Sequence, residues 1–257
     1  MDSQPPPIPP VPPADPRMDD YQHSPPPVRH WDAGWAIQAA WHTVKTQPIV
    51  VVAHLVGNLL GNAISLFSSI VIGVIEFSAT MESGGRLATE AQVTFLFMRL
   101  GAMLVNLPFA LYFGAGVDWY TLKLVRYGNA QFSDLFKPRR VGAHMGATLL
   151  FSLAIFFGTV LCIVPGIILA LGFLLYRFLI LDGNVPATES LAASWNLTRG
   201  HKGRILVLSI LLIALQFLGF CACGVGVIVT SPMVAIAFAH VYGLLVGPPA
   251  DVAAAFD

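Results

Sequence analysis

The stretch Ile49–Phe77, IVVVAHLVGNLLGNAISLFSSIVIGVIEF, decides the fold. It is long, apolar and free of proline, so it reads as a membrane-spanning helix. It also carries His54, Asn58, Asn62, Ser65, Ser69 and Glu76. At helical spacing these six fall within roughly ±40° of one line. Gly57, Gly61 and Ser68 lie beside that line, and Leu59, Val56, Ala63, Phe67, Ile70 and Val74 lie opposite. Such a helix turns one face to lipid and the other to protein or water, so the rest of the chain must supply the cover.

Composition points the same way. Only 11% of the 257 residues are charged, 56% are hydrophobic, and mean hydropathy is +0.71. Soluble domains carry about 25% charged residues. The deficit, with several other apolar runs of near-spanning length, predicts an all-α polytopic membrane bundle. Net charge is zero, so no nucleic-acid partner is expected. Three cysteines are too few for a disulfide framework.

Three domains of organisation are expected. Residues 1–30 hold most of the prolines and lack an apolar core, which predicts a disordered cytoplasmic tail with no signal peptide. Residues 31–246 form the transmembrane domain, and 247–257 a short cytoplasmic tail. Expected spans are 49–77, 92–117 (with Pro108 as a kink), 146–163, 166–182, 204–221 and 225–246. The third and fourth meet at Val164-Pro165-Gly166, which is turn chemistry. Two interfacial amphipathic helices precede spans. In the first, from Trp31 to Lys45, Asp32 is the N-cap, Ile37, Trp41 and Val44 share a face, and three tryptophans suit the interface. In the second, Pro186 to Arg199, Gly200 is the stop. Ala39-Ala40-Trp41 with Lys45 echoes Ala193-Ser194-Trp195 with Arg199, and the segment Phe132–Arg140 is a degenerate third copy. These suggest a repeated unit of interfacial helix and hairpin.

Of the 14 Lys and Arg, all but Arg86 and Arg99 fall on one side of six spans. Both termini are therefore expected to be cytoplasmic, which also removes the glycosylation sequon at Asn196 from consideration.

The runs Leu161-Cys162-Ile163-Val164-Pro165-Gly166-Ile167-Ile168 and Ser190-Leu191-Ala192-Ala193-Ser194-Trp195-Asn196-Leu197-Thr198-Arg199-Gly200 form a signature. With Gly128 and Phe132-Ser133-Asp134-Leu135-Phe136, they give the chain a resemblance, over roughly residues 31–246, to a group of bacterial membrane proteins. That group includes the membrane domain fused to some glycerophosphodiester phosphodiesterases. The resemblance implies six helices and a bacterial inner membrane. It brings no catalytic residues, and no counterpart of the soluble phosphodiesterase barrel lies in these 257 residues, so that activity is not implied.

Candidate sites follow from buried polarity. The line of the first span is either a packing seam or a solute path. Its ionisable members His54 and Glu76 sit near the two ends, while Asn58, Asn62, Ser65 and Ser69 lie deep. Arg99 lies inside the second span with Asn106 on the same face. It either snorkels to headgroups, pairs with Glu76 across about 10 Å of axial offset, or contacts an anion. Arg139, Arg140 and Lys202 are candidate contacts for anionic lipid. Cys162, Cys221 and Cys223 are expected at the outer ends of spans, as packed free thiols or a disulfide. His54, His144 and His240 share the cytoplasmic side, where interfacial hydrogen bonds compete with metal binding or pH sensing. No constellation of nucleophile, acid and base is set up, so a non-enzymatic protein without cofactor is expected. Its partners would be membrane lipids and either a second copy or a membrane partner protein. The leading function is scaffolding or lipid and envelope association, and the alternative is transport of a small solute or ion along the first-span stripe.

Overall fold

The computed structural model describes residues 31–247 except 86, 87, 184 and 223. Among these residues there is no strand, and six spans are apolar and long enough to cross a membrane, with hydropathy from 1.6 to 2.3. The all-α bundle is therefore the observed architecture. The proline-rich segment and the C-terminal tail lie outside the described residues.

Helix α1 covers Ala33–Thr46, opened by Asp32, whose carboxylate accepts the Trp35 N–H at 2.7 Å. Its protein-facing stripe is Ala33, Ala36, Ala40 and Val44 with Ile37 packed beside it, so of the expected Ile37–Trp41–Val44 face only Trp41 is left out. Alanine permits close helix approach, and Trp41 stays exposed with the Lys45 ammonium 5.0 Å from its ring centre. Trp31 is buried rather than interfacial.

The first hairpin pairs α2 (Ile49–Glu82) with α3 (Thr89–Tyr127). Helix α3 passes through Pro108 and extends ten residues beyond the expected end. The charges that end the apolar run at Asp118 do not end the helix, because each has a partner. Asp118 meets His144 and Arg177, Lys123 meets Asp134 at 2.9 Å, and Arg126 meets Asp182 at 3.0 Å. Gly128, at φ +69°, closes the helix.

The second hairpin joins α4 (Val141–Leu161) to α5 (Ile163–Phe173) and α6 (Tyr176–Asp182). The turn lies at Cys162, whose backbone is extended, and Val164-Pro165-Gly166 falls inside the first turn of α5. Proline lacks an N–H and is tolerated there, where amides have no intrahelical acceptor. Gly166 serves close packing instead: a Cβ there would lie 3.1 Å from Thr159 backbone. The fourth span is broken at Leu174-Leu175. Helix α7 (Ala187–Leu197) leads into the third hairpin, α8 (Lys202–Cys221) and α9 (Val225–Val246).

Three interfacial segments dock cyclically, each on the hairpin before it. The 3-10 turn Phe132–Phe136 inserts Leu135 between Gly57 and Gly116 of the first hairpin. A Cβ at Gly116 would stand 2.1 Å from the Leu135 carbonyl oxygen, so glycine is required for this approach. Leu135 is fully buried. Helix α7 docks on the second hairpin, with Trp195 against Gly172. Helix α1 closes the ring on the third, where Thr43 and His240 hydrogen-bond at 3.1 Å.

Burial is uneven along the spans. Toward the end bearing the docked segments, here the basic end, Leu122, Leu175, Phe178, Ile205, Leu208 and Tyr242 are buried. At the far end Phe67, Phe97, Leu104, Leu161 and Phe220 are exposed. The hairpins thus converge at the basic end.

Candidate central cavity

Where the hairpins converge, they line an open cavity of about 550 Å³. Every hairpin contributes. Its polar lining is His54, Asn58, Asp118, Arg177, Ser209, Gln216 and Ser231, and its apolar lining includes Leu174, Leu212, Val234 and Phe238. This volume is in the range of sites for small organic molecules.

Asp118 organises one wall. The extension of α3 places it below the Gly57–Gly116 packing seam, with its side chain only 11% exposed. One oxygen accepts from Arg177 Nη1 at 3.3 Å and the other from His144 Nε2–H at 3.2 Å. An acidic side chain at this depth is tolerated because two donors on the second hairpin face it. His54 approaches Thr121 at 2.8 Å. The Thr121 hydroxyl also lies 2.8 Å from the Val117 carbonyl. Opposite, Gln216 leaves its Oε1 buried without a hydrogen-bond partner among the described residues. A buried acceptor without a partner is uncommon and marks a place for a donor.

The break in the fourth span borders the cavity at Leu174. Its freed backbone groups are bonded by α7. Ser194 Oγ accepts the Leu175 N–H at 3.2 Å and donates to the Gly172 carbonyl at 3.0 Å, while Thr198 Oγ1 donates to the same carbonyl at 3.1 Å. Ser190, Ser194 and Thr198 are all fully buried, at the four-residue spacing of one helix face. Ser194 and Thr198 thus satisfy the interrupted hydrogen-bond ladder at Leu174-Leu175, where the dihedrals stay in the helical region, as backbone polar groups inside a membrane require.

The sequence-derived candidates separate into three groups. His54 and Asn58 reach the cavity. Ser65 and Asn106 form the seam of the first hairpin, the Ser65 N–H donating to Asn106 Oδ1 at 3.2 Å. Asn62 and Ser69 are exposed, and the Asn62 amide bonds its own helix at the Asn58 carbonyl, 2.9 Å away. The closest packing within the seam falls to Gly57 and Gly61, which lie next to the polar line. At the far end Arg99 and Glu76 form an ion pair. Of the basic residues, Arg140 donates to the Val185 carbonyl at 2.8 Å, Arg139 lies 5.5 Å from the Trp119 ring centre, and the Lys202 ammonium 2.9 Å from that of Trp195. Cys162 and Cys221 are exposed free thiols, and Cys223 lies outside the described residues. His54, His144 and His240 have separate partners, and no group of three metal-binding side chains occurs among the described residues.

Sequence reasoning missed Asp118, Arg177, Gln216 and the two cavity serines. A carboxylate next to an apolar run and an arginine within a span are the signals that point to them. Arg177 entered the sequence reading only through the count of basic residues, and Asp118 did not enter it. Compared with family models, curated proteins and solved structures, the chain matches none.

Proposed function

We propose that this chain is a non-enzymatic multi-pass protein that admits a small polar solute into its central cavity. The observation that carries the reading is a hydrogen-bonding chamber with an unmet acceptor, Gln216, and an arginine that retains free donors. Arg177 uses one of its five N–H groups on Asp118. A bundle held together by packing alone does not need polar groups converging on a cavity, because each one costs desolvation. The lysine and arginine distribution supports cytoplasmic termini, and the resemblance to bacterial membrane domains supports an inner membrane. The reading shifts the solute path from the first-span stripe to the space between hairpins, keeping only His54 and Asn58 of that stripe. Lipid association is a second reading, favoured by Lys45 stacked on the exposed Trp41 at the basic end.

Cysteine accessibility tests the solute reading. Asn58→Cys and Ser231→Cys, in a chain whose native cysteines are serine, are expected to react with a water-soluble maleimide. Leu104→Cys, at an exposed apolar position of α3, is expected to stay unreactive. Inertness at both 58 and 231 would overturn the reading.

A further inference from the structure

One buried network is not part of the cavity wall. Asp182, at the end of α6, has a side chain only 8% exposed. Its Oδ2 faces Arg126 Nε at 3.0 Å and accepts from the Tyr242 hydroxyl at 2.8 Å. Its Oδ1 accepts from the Tyr127 hydroxyl at 3.0 Å. Arg126 and Tyr127 belong to the first hairpin, Asp182 to the second and Tyr242 to the third, so one carboxylate ties all three together. The Tyr242 ring packs between the Arg126 guanidinium, 5.6 Å from its centre, and Phe178, 5.5 Å away.

The position of this network matters as much as its contents. Each tie follows a cavity residue on the same helix. Arg126 comes eight residues after Asp118, Asp182 five after Arg177, and Tyr242 four after Phe238. At ~1.5 Å per residue the network lies about 6 to 12 Å toward the basic end. It therefore stands between the cavity and the basic end.

Helix α6 joins the two sites. It has seven residues, bounded by the break at Leu174-Leu175 and by Gly183. It carries Arg177 at the cavity and Asp182 at the closure. Its hydrogen-bond ladder to the rest of the span is interrupted at Leu174-Leu175, where the dihedrals stay helical, and its backbone turns extended at Gly183, so this short segment can shift relative to the rest of its span. A polar closure also differs from an apolar plug, since water can replace its hydrogen bonds as it opens.

We infer that the Arg126–Asp182–Tyr242 network is a gate between the cavity and the basic side, with α6 as the element that opens it. The inference rests on reading the cavity as a solute site, and it adds that solute passes through to the other side.

The test uses the full chain with Cys162, Cys221 and Cys223 changed to serine and Ser209→Cys as the cavity reporter. Sealed vesicles of both orientations are treated with a membrane-impermeant maleimide. With the network intact, the reporter is expected to react from the far side and at least ten-fold more slowly from the basic side. Asp182→Asn combined with Tyr242→Phe is expected to raise the basic-side rate ten-fold or more, with the far-side rate within two-fold. Tyr127→Phe with Tyr242→Phe keeps the ion pair and should give a smaller rise, which serves if the charge variant does not fold. Equal reaction from both sides in the intact chain overturns the gate and leaves the cavity reading standing. Unchanged basic-side rates in folded variants also overturn it. Absence of reaction from either side overturns the cavity reading and the gate together.

Discussion

Replacing Asp118 with leucine isolates the energetics of the cavity wall. The carboxylate holds Arg177 Nη1 at 3.3 Å and His144 Nε2 at 3.2 Å, and the three side chains are 11%, 28% and 5% exposed. Removing one partner of a buried ion pair costs ~3–5 kcal/mol because the other charge is left uncompensated. Arg177 borders the cavity and can turn toward it, which places the cost near the lower bound, about 3 kcal/mol. An unpaired His144 donor adds to it, within ~1–3 kcal/mol. The two costs together come to ~4 kcal/mol or more, so Asp118→Leu is expected to raise the unfolding equilibrium constant about a thousand-fold or more, since each 1.4 kcal/mol is a factor of ten. Arg177→Met alone leaves the carboxylate with His144 only and should cost a similar amount. The double variant replaces the pair with apolar side chains and should recover about 2 kcal/mol, because such replacement is often close to neutral. The assay is SDS titration of the purified protein followed by tryptophan fluorescence. If Asp118→Leu stays within about 0.5 kcal/mol of the parent, or the two changes add without coupling, the pair does not support the wall.

Two further outcomes test the fold around the site. Gly116→Ala puts a Cβ 2.1 Å from the Leu135 carbonyl and should cost ~1–3 kcal/mol through displacement of the 3-10 turn. Gly101→Ala, with open space around it, should be neutral or slightly stabilising in the same titration. Ser194→Ala leaves the Leu175 N–H without its acceptor and should cost ~1–3 kcal/mol, with faster hydrogen exchange at that amide. Thr198→Val should cost less, since the Gly172 carbonyl keeps Ser194 as a donor.

Much of the fold was legible because membrane helices are written in local chemistry. The apolar runs located six spans, Asp32 marked the start of α1, and Gly200, at φ +81°, marked the stop after α7. The pairing of Arg99 with Glu76 was among the readings open from their positions on facing helices. The ends of spans were less legible. Hydropathy stopped the second span at 117 because Asp118, Lys123 and Arg126 raise polarity, whereas their partners on other elements carry the helix to Tyr127. Val164-Pro165-Gly166 looked like a turn by composition, but proline also fits a first helical turn, and the chain reverses one step earlier at Cys162.

The sequence by itself determined the all-α membrane architecture, the number of spans and the side that collects basic charge. These follow from hydrophobicity summed over about 20 residues, which needs no knowledge of neighbours. Tertiary structure alone decided the use of the polar residues. It left Asn62 and Ser69 exposed and set Ser65 against Asn106 in the seam of the first hairpin. It brought Asp118, His144 and Arg177 together from three separate spans. It also docked the 3-10 turn and α7 each on the hairpin before it, and α1 on the third hairpin. The physical reason is that a charge inside a membrane is tolerated only through a partner, and the partners here lie 26 and 59 residues away in the chain, beyond the range of any local pattern.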